Sequence, residues 1–163
     1  MEEFLNILYG DAVAESRRLA IFTLPDRRTR FFSSLKAVTL YAAEQSKTQD
    51  VYLCVGLADG DCKGKPSASR IVAIVGFWAD IDLPAPWREH KALPPSVEDA
   101  RAILAKLPFP PSLIVDSGHG LHAWWLFKEP WLLETEEERL AAAQRAKGWV
   151  NLIRETARTF GWE

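Results

Sequence analysis

Cysteine is scarce in this 163-residue chain, at two residues, as are methionine, at one, and histidine, at three. Cys54 and Cys62 belong to no CxxC pair and cannot build a structural zinc site. One disulfide between them would need an oxidising compartment; as reduced residues, Cys54 belongs to a strand and Cys62 to a turn. Long apolar runs are missing too. None reaches the ~18 residues a membrane span requires, and the start MEEFLNILYG is acidic and short, unlike a signal peptide. A cytoplasmic protein with no membrane partner is the expectation. Charge of one sign is also lacking: the formal net charge is −2. No global field draws in a polyanion, so a nucleic-acid contact needs a local basic surface. What is plentiful is apolar and aromatic, with 48% hydrophobic residues and seven tryptophans. That supports a packed core in one domain, or one domain of two small lobes, and speaks against disorder.

Patterning gives an alternation of elements. Residues 2–20 read as helix, broken near Gly10 and Asp11, and 20–25 as a short strand stopped by Pro25. Residues 26–30 (DRRTR) read as a basic loop, and 31–45 as helix on the spacing of Phe32, Leu35, Val38 or Thr39 and Ala42. Residues 51–58 (VYLCVGLA) read as one strand, followed by a polar stretch over 59–70. IVAIVGFWA (71–79) is nearly all apolar, the pattern of a strand buried on both faces. A Pro-rich excursion over 83–95 is a candidate lid or edge loop. Ser96 N-caps a helix that stops before Pro108. SLIVD (112–116), SGHG (117–120) and LHAWWLF (121–127) form a hairpin candidate. Thr135 and Glu138 make a capping-box signature for a helix to about 160, with Leu140, Ala143, Trp149 or Val150, Ile153 and Ala157 facing inward. The second half thus reads strand, helix, strand, strand, helix, one strand short of a ferredoxin-like β-α-β-β-α-β unit.

Two features carry chemistry. Asp80 and Asp82 stand at i and i+2 of a strand end, so both point to one face, starting about 7 Å apart. They can converge on magnesium or manganese, which take hard oxygen ligands; the bland alternative is a strand running out to solvent with its acids exposed. The second is Ser117-Gly118-His119-Gly120-Leu121-His122. Its glycines allow close backbone approach and an anion nest, Ser117 adds a hydroxyl, and His122 stands where its ring can donate to a phosphate oxygen. The alternative is an ordinary Gly-rich hairpin with a packed histidine and an exposed His119. Together, a metal pair beside a phosphate cradle is minimal equipment for handling a nucleoside triphosphate. Lys63, Lys65 and Arg70 precede the metal strand, with Arg70 the best placed to reach phosphate. Arg27, Arg28 and Arg30 form a second basic cluster that could meet a template backbone. A solvated face explains either group equally well. Trp78 is placed on the Asp80 face. Trp124 and Trp125 fall on opposite faces of their strand, one of them a candidate for base stacking against a core role. Trp87 in the Pro-rich loop is a candidate base or partner contact.

The stretch IVAIVGFWADIDLP followed by PSLIVDSGHGLHAWWLF resembles the archaeo-eukaryotic primase superfamily, in its primase-polymerase and replication-protein-like branch from plasmids, phages and mobile elements. Ala79-Asp80-Ile81-Asp82 matches the family's hydrophobic-Asp-hydrophobic-Asp motif. Ser117, Gly118, Gly120 and His122 match Ser-Gly-x-Gly-x-His. The resemblance implies an α+β fold: an N-terminal α/β lobe over about 1–70 packed on an RRM-like catalytic lobe over about 71–163, with the active site in the cleft between them. It implies DNA-template-dependent primase or polymerase chemistry on nucleoside triphosphates, with Asp80 and Asp82 holding Mg2+ or Mn2+ and His122 on the phosphates. The family's third motif, a further metal-binding carboxylate on a strand after the long helix, has no match here: Asp116 lies before the turn and Glu163 arrives too early. The expectation is a piece of a longer replication protein, with the missing carboxylate supplied by the parent or by a second copy of the chain, and with a helicase or further domains as candidate neighbours in the parent. The alternatives are a non-catalytic nucleotide- or nucleic-acid-binding replication-initiation domain, and a metal-dependent nuclease with His122 as base. The nuclease lacks a lysine or glutamate beside the paired acids.

Overall fold

The computed structural model describes residues 1–86 and 92–162. Trp87, most of the Pro-rich excursion's centre and Glu163 lie outside the described residues. The elements in chain order are α1 (Glu2–Tyr9), a 3-10 turn (Gly10–Ala12), β1 (Arg17–Leu24), β2 (Arg28–Phe32), α2 (Leu35–Gln45), β3 (Asp50–Leu53), β4 (Leu57–Asp59), a second 3-10 turn (Ala68–Arg70), β5 (Ile71–Asp82), α3 (Val97–Ala105), β6 (Leu113–Asp116), β7 (Gly120–Leu132) and α4 (Glu136–Arg158). They divide into two compact units: Met1–Val75 with Phe127–Leu140, and Gly76–Leu126 with Ala141–Glu163.

In the first unit β1 is the organising strand. It pairs antiparallel with β2 on one side, and with β3 and β4 along the other; β4 in turn pairs with the start of β5. The helical reading of 17–20 and the loop reading of 26–30 both give way here. Leu19, Ala20 and Ile21 are buried in β1, and Arg28 and Arg30 belong to a paired strand. Alternation hides one side of each strand while its charged residues project, so a short charged strand looks like a loop. The single strand expected over 51–58 is two strands, β3 and β4, separated at Cys54–Gly56. Cys54 lies in that break, and burial, then Cys62, holds its thiol above the ordinary range; both cysteines are free. Leu5, Leu8 and Tyr9 of α1, Val38 and Ala42 of α2, and Leu19, Ile21, Leu57 and Ala58 are buried. The Ser34 hydroxyl caps α2 by accepting from the Ala37 amide at 3.5 Å.

The second unit is a three-stranded sheet in the order β5-β7-β6. β6 and β7 form the expected hairpin, with Ile114 opposite Ala123 and Val115 opposite His122. Gly76 abuts Trp125 and Leu126, and Gly120 abuts Ile81 and Asp82, so β7 also runs antiparallel to β5. Ala79, Ile81, Leu121, Ala123 and Trp125 pack on Ala100, Ile103 and Leu104 of α3 and Ile153 and Ala157 of α4. Ser96 caps α3, accepting from the Asp99 amide at 3.1 Å. At α4 the box closes in both directions: the Glu138 carboxylate accepts from the Thr135 amide at 2.8 Å, and the Glu138 amide donates to the Thr135 hydroxyl at 3.1 Å. Leu140 and Ala143 are exposed, whereas Ala142 is buried, so the inward stripe is out of phase with the expectation at this end of α4. β5 is not buried on both faces: Ala79 and Ile81 are hidden, while Trp78 and Asp80 are exposed. Among the described residues no helix is long and apolar enough to cross a membrane.

Candidate metal and phosphate site

The candidate site lies on the sheet face of the second unit opposite α3 and α4. Residues i and i+2 of a strand share a face, so Trp78, Asp80 and Asp82 project together from β5. His122 and Trp124 project beside them from β7, since Leu121, Ala123 and Trp125 occupy its helix-covered side. The His122 Nε2 lies 3.6 Å from the Asp80 Oδ1, with both side chains about two-fifths exposed, at 40% and 43%. The Trp78 ring stacks on Trp124, centroids 6.0 Å apart and planes 27° apart, and meets His122 edge-on at 6.1 Å. Trp125 belongs to the core: its indole N–H donates to the Phe109 carbonyl at 3.0 Å and its ring meets Trp149 edge-on at 5.0 Å.

The turn between β6 and β7 is tied to the end of β5. The Leu83 amide donates to the His119 carbonyl at 3.0 Å. A Cβ on Gly120 would stand 2.3 Å from the Ile81 carbonyl oxygen, so only glycine lets β7 start this close to the aspartate strand. Gly118 takes φ 78°, the left-handed region that glycine enters freely. The turn's own polar groups are partnered within it. The Gly118 amide donates to the Asp116 carboxylate at 2.8 Å, the Ser117 hydroxyl and amide both donate to the Gly120 carbonyl at 3.0 Å, and the His119 amide approaches the Ser117 Oγ at 3.4 Å. Asp116 is thus the anion held by the turn in this structure. The sequence signal for that role is Asp-x-Gly, in which an aspartate accepts from the amide two residues on.

The basic candidates belong to the first unit. Arg70 Nη2 is 2.6 Å from the Asp59 Oδ1. Arg28 Nε is 3.5 Å from Asp26, Arg30 lies over the Tyr41 ring at 5.2 Å, and Lys65 lies over Phe22 at 5.3 Å. Arg27 occupies the β1–β2 turn with φ 55°, and Lys63 is exposed. A groove of about 480 Å3 in this unit, walled by residues including Leu5, Ile21, Val38 and Leu53, contains none of the candidate residues. Among the described residues no group of three or more His, Cys, Asp or Glu side chains is arranged to hold a metal ion.

No protein-family model matches the chain, and a search of curated proteins returns no match. Among solved structures, the chain is similar to the AEP domain of the cyanophage S-2L primase-polymerase, with a TM-score of 0.56 and 15% sequence identity over 93% of this chain and 70% of that one. The two share an α+β fold.

Proposed function

We propose that the exposed face of β5 and β7 is a nucleotidyl-transfer centre acting on nucleoside triphosphates with a DNA template and primer, as a primase or polymerase does. The observation that supports this best is the grouping of Asp80, Asp82 and His122 on one open sheet face, on a fold similar to that of a primase-polymerase domain. The strand order β5-β7-β6, with α3 and α4 on the opposite face, supports an RRM-like reading of the second unit; the expected lobes of about 1–70 and about 71–163 differ from the two units in that Phe127–Leu140 falls with the first.

The donor set fits a divalent cation of the magnesium or manganese type. Such ions are commonly held by one or two carboxylates, with substrate phosphates and water completing the shell. Asp80 and Asp82 would hold it, and when bound it supplies charge neutralisation on the phosphates. The chain's own residues do the rest. His122, whose Nε2 lies 3.6 Å from Asp80 on the same face, would turn an N–H donor toward a phosphate oxygen. Ser117 and Gly118 reach phosphate by exchanging their internal partners, Gly120 and Asp116. Within the first unit, Arg70, Arg27, Arg28, Arg30, Lys63 and Lys65 are the basic candidates for phosphate and nucleic-acid backbone. In the reaction a 3′-oxygen bonds to the α-phosphorus, the bond to the pyrophosphate oxygen breaks, and the hydroxyl proton leaves to solvent.

Primer extension on a DNA template with manganese and deoxynucleotides tests the proposal. Extension that disappears in Asp80→Ala and in His122→Ala supports it. Template binding without extension points instead to a non-catalytic replication-initiation domain, and degradation of DNA without nucleotides points to a nuclease.

A further inference from the structure

We infer that Trp78 is the surface on which the nucleoside half of the nucleotide rests, so that this side chain separates a nucleotide from a bare polyphosphate. The inference builds on the nucleotidyl-transfer reading of the same face. Trp78 is two residues before Asp80 and points the same way, and it is 38% exposed where its stacking partner Trp124 is 5% exposed. The strand therefore buries Ala79 and Ile81 and leaves its largest side chain beside the carboxylates.

Trp124 is buried, and Trp78 turns one ring face to it at 6.0 Å and 27° while remaining 38% exposed. The edge contact with His122 at 6.1 Å and 75° holds the ring from a second side. An indole with two aromatic contacts has few rotamers left to lose, so a ligand settling on it meets a pre-organised surface. The chemistry of the face is divided accordingly. Asp80 and Asp82 are anionic and suit a cation with its phosphates. The neutral π-face of Trp78 suits a base or sugar, and stacking of this kind tolerates any base because every base has a π-face.

Calorimetric titration of the full chain in magnesium separates the two halves, using dATP, dCTP and inorganic tripolyphosphate as probes. Trp78→Ala is expected to weaken both nucleotides by about 10-fold or more while leaving tripolyphosphate within about twofold. Trp78→Phe, which keeps a ring on the same strand, is expected to restore most of the nucleotide affinity, and circular dichroism checks that both variants fold. Equal weakening of tripolyphosphate, or unchanged nucleotide affinity in Trp78→Ala, overturns the inference while leaving the site reading in place. A wild-type chain that binds none of the three probes overturns both.

Discussion

Strands β5 and β7 carry two sets of side chains at alternate positions, and the sets have little in common. Toward α3 and α4 they present Ala79, Ile81, Leu121, Ala123 and Trp125, all buried. Toward the other side they present Trp78, Asp80, Asp82, His122 and Trp124, with the Asp80 carboxylate near the His122 imidazole and the exposed Trp78 indole against His122 and Trp124. The backbone is common to both, so the contrast isolates what the side chains are for. The first set drives folding through apolar burial. The second, apart from Trp124, keeps polar and aromatic side chains half-buried or exposed.

The variant expected to separate the faces most strongly is Asp80→Ala. Extension activity should fall by about 100-fold or more, while stability in urea should change by about 1 kcal/mol or less, as for an exposed surface side chain. A large stability loss there would mean that the open face is structural. The converse variant is Ile103→Ala, at a position only 1% exposed. It should cost about 2–5 kcal/mol in urea unfolding, with nucleotide affinity preserved in the fraction that remains folded. Gly120→Ala should blur the distinction, since its Cβ meets the Ile81 carbonyl at 2.3 Å and β5 and β7 must part. A loss of about 1–3 kcal/mol, together with reduced extension, is the expected result.

The smallest effect is expected at the start of α4. The Thr135 amide, followed by other local hydrogen bonds, holds the Glu138 carboxyl below its ordinary value of 4.5. A depressed folded pKa contributes stability above the unfolded value and loses it as pH falls through the folded one. The Tm of the wild type should therefore drop more steeply below about pH 4.5 than that of Glu138→Gln, with extension activity at neutral pH unchanged.

What could be read beforehand followed the strength of local signals. Ser96 and Thr135 announced their helices because a cap needs one side-chain oxygen at a fixed spacing, and both bonds form. The hairpin around Gly118 and Gly120 was visible because few residues tolerate those backbone positions. β2 was not, because Arg28 and Arg30 carry its exposed side and make a paired strand look like a loop. β3 and β4 read as one element because Cys54 and Val55 are as compatible with a strand as their neighbours. At the site, the shared direction of Asp80 and Asp82 followed from spacing alone. The approach of His122 to Asp80 and the stack of Trp78 on Trp124 depend on which strands lie side by side, which no short-range pattern encodes. The contact of Asp116 with the Gly118 amide, by contrast, is carried by the local Asp-x-Gly pattern.

That last contact has an electrostatic consequence. A turn whose amide is held by a carboxylate presents a resident anion to any incoming one, and Asp80 and Asp82 add two more formal negative charges on the same unit. On the proposed reading, a free phosphate approaching the turn would be repelled and would have to evict Asp116 without assistance. A polyphosphate arriving with a divalent cation would bring the countercharge with it, and would meet the same carboxylates as attraction. The turn would then behave as a rectifier, admitting phosphate in cation-paired form and discouraging it otherwise.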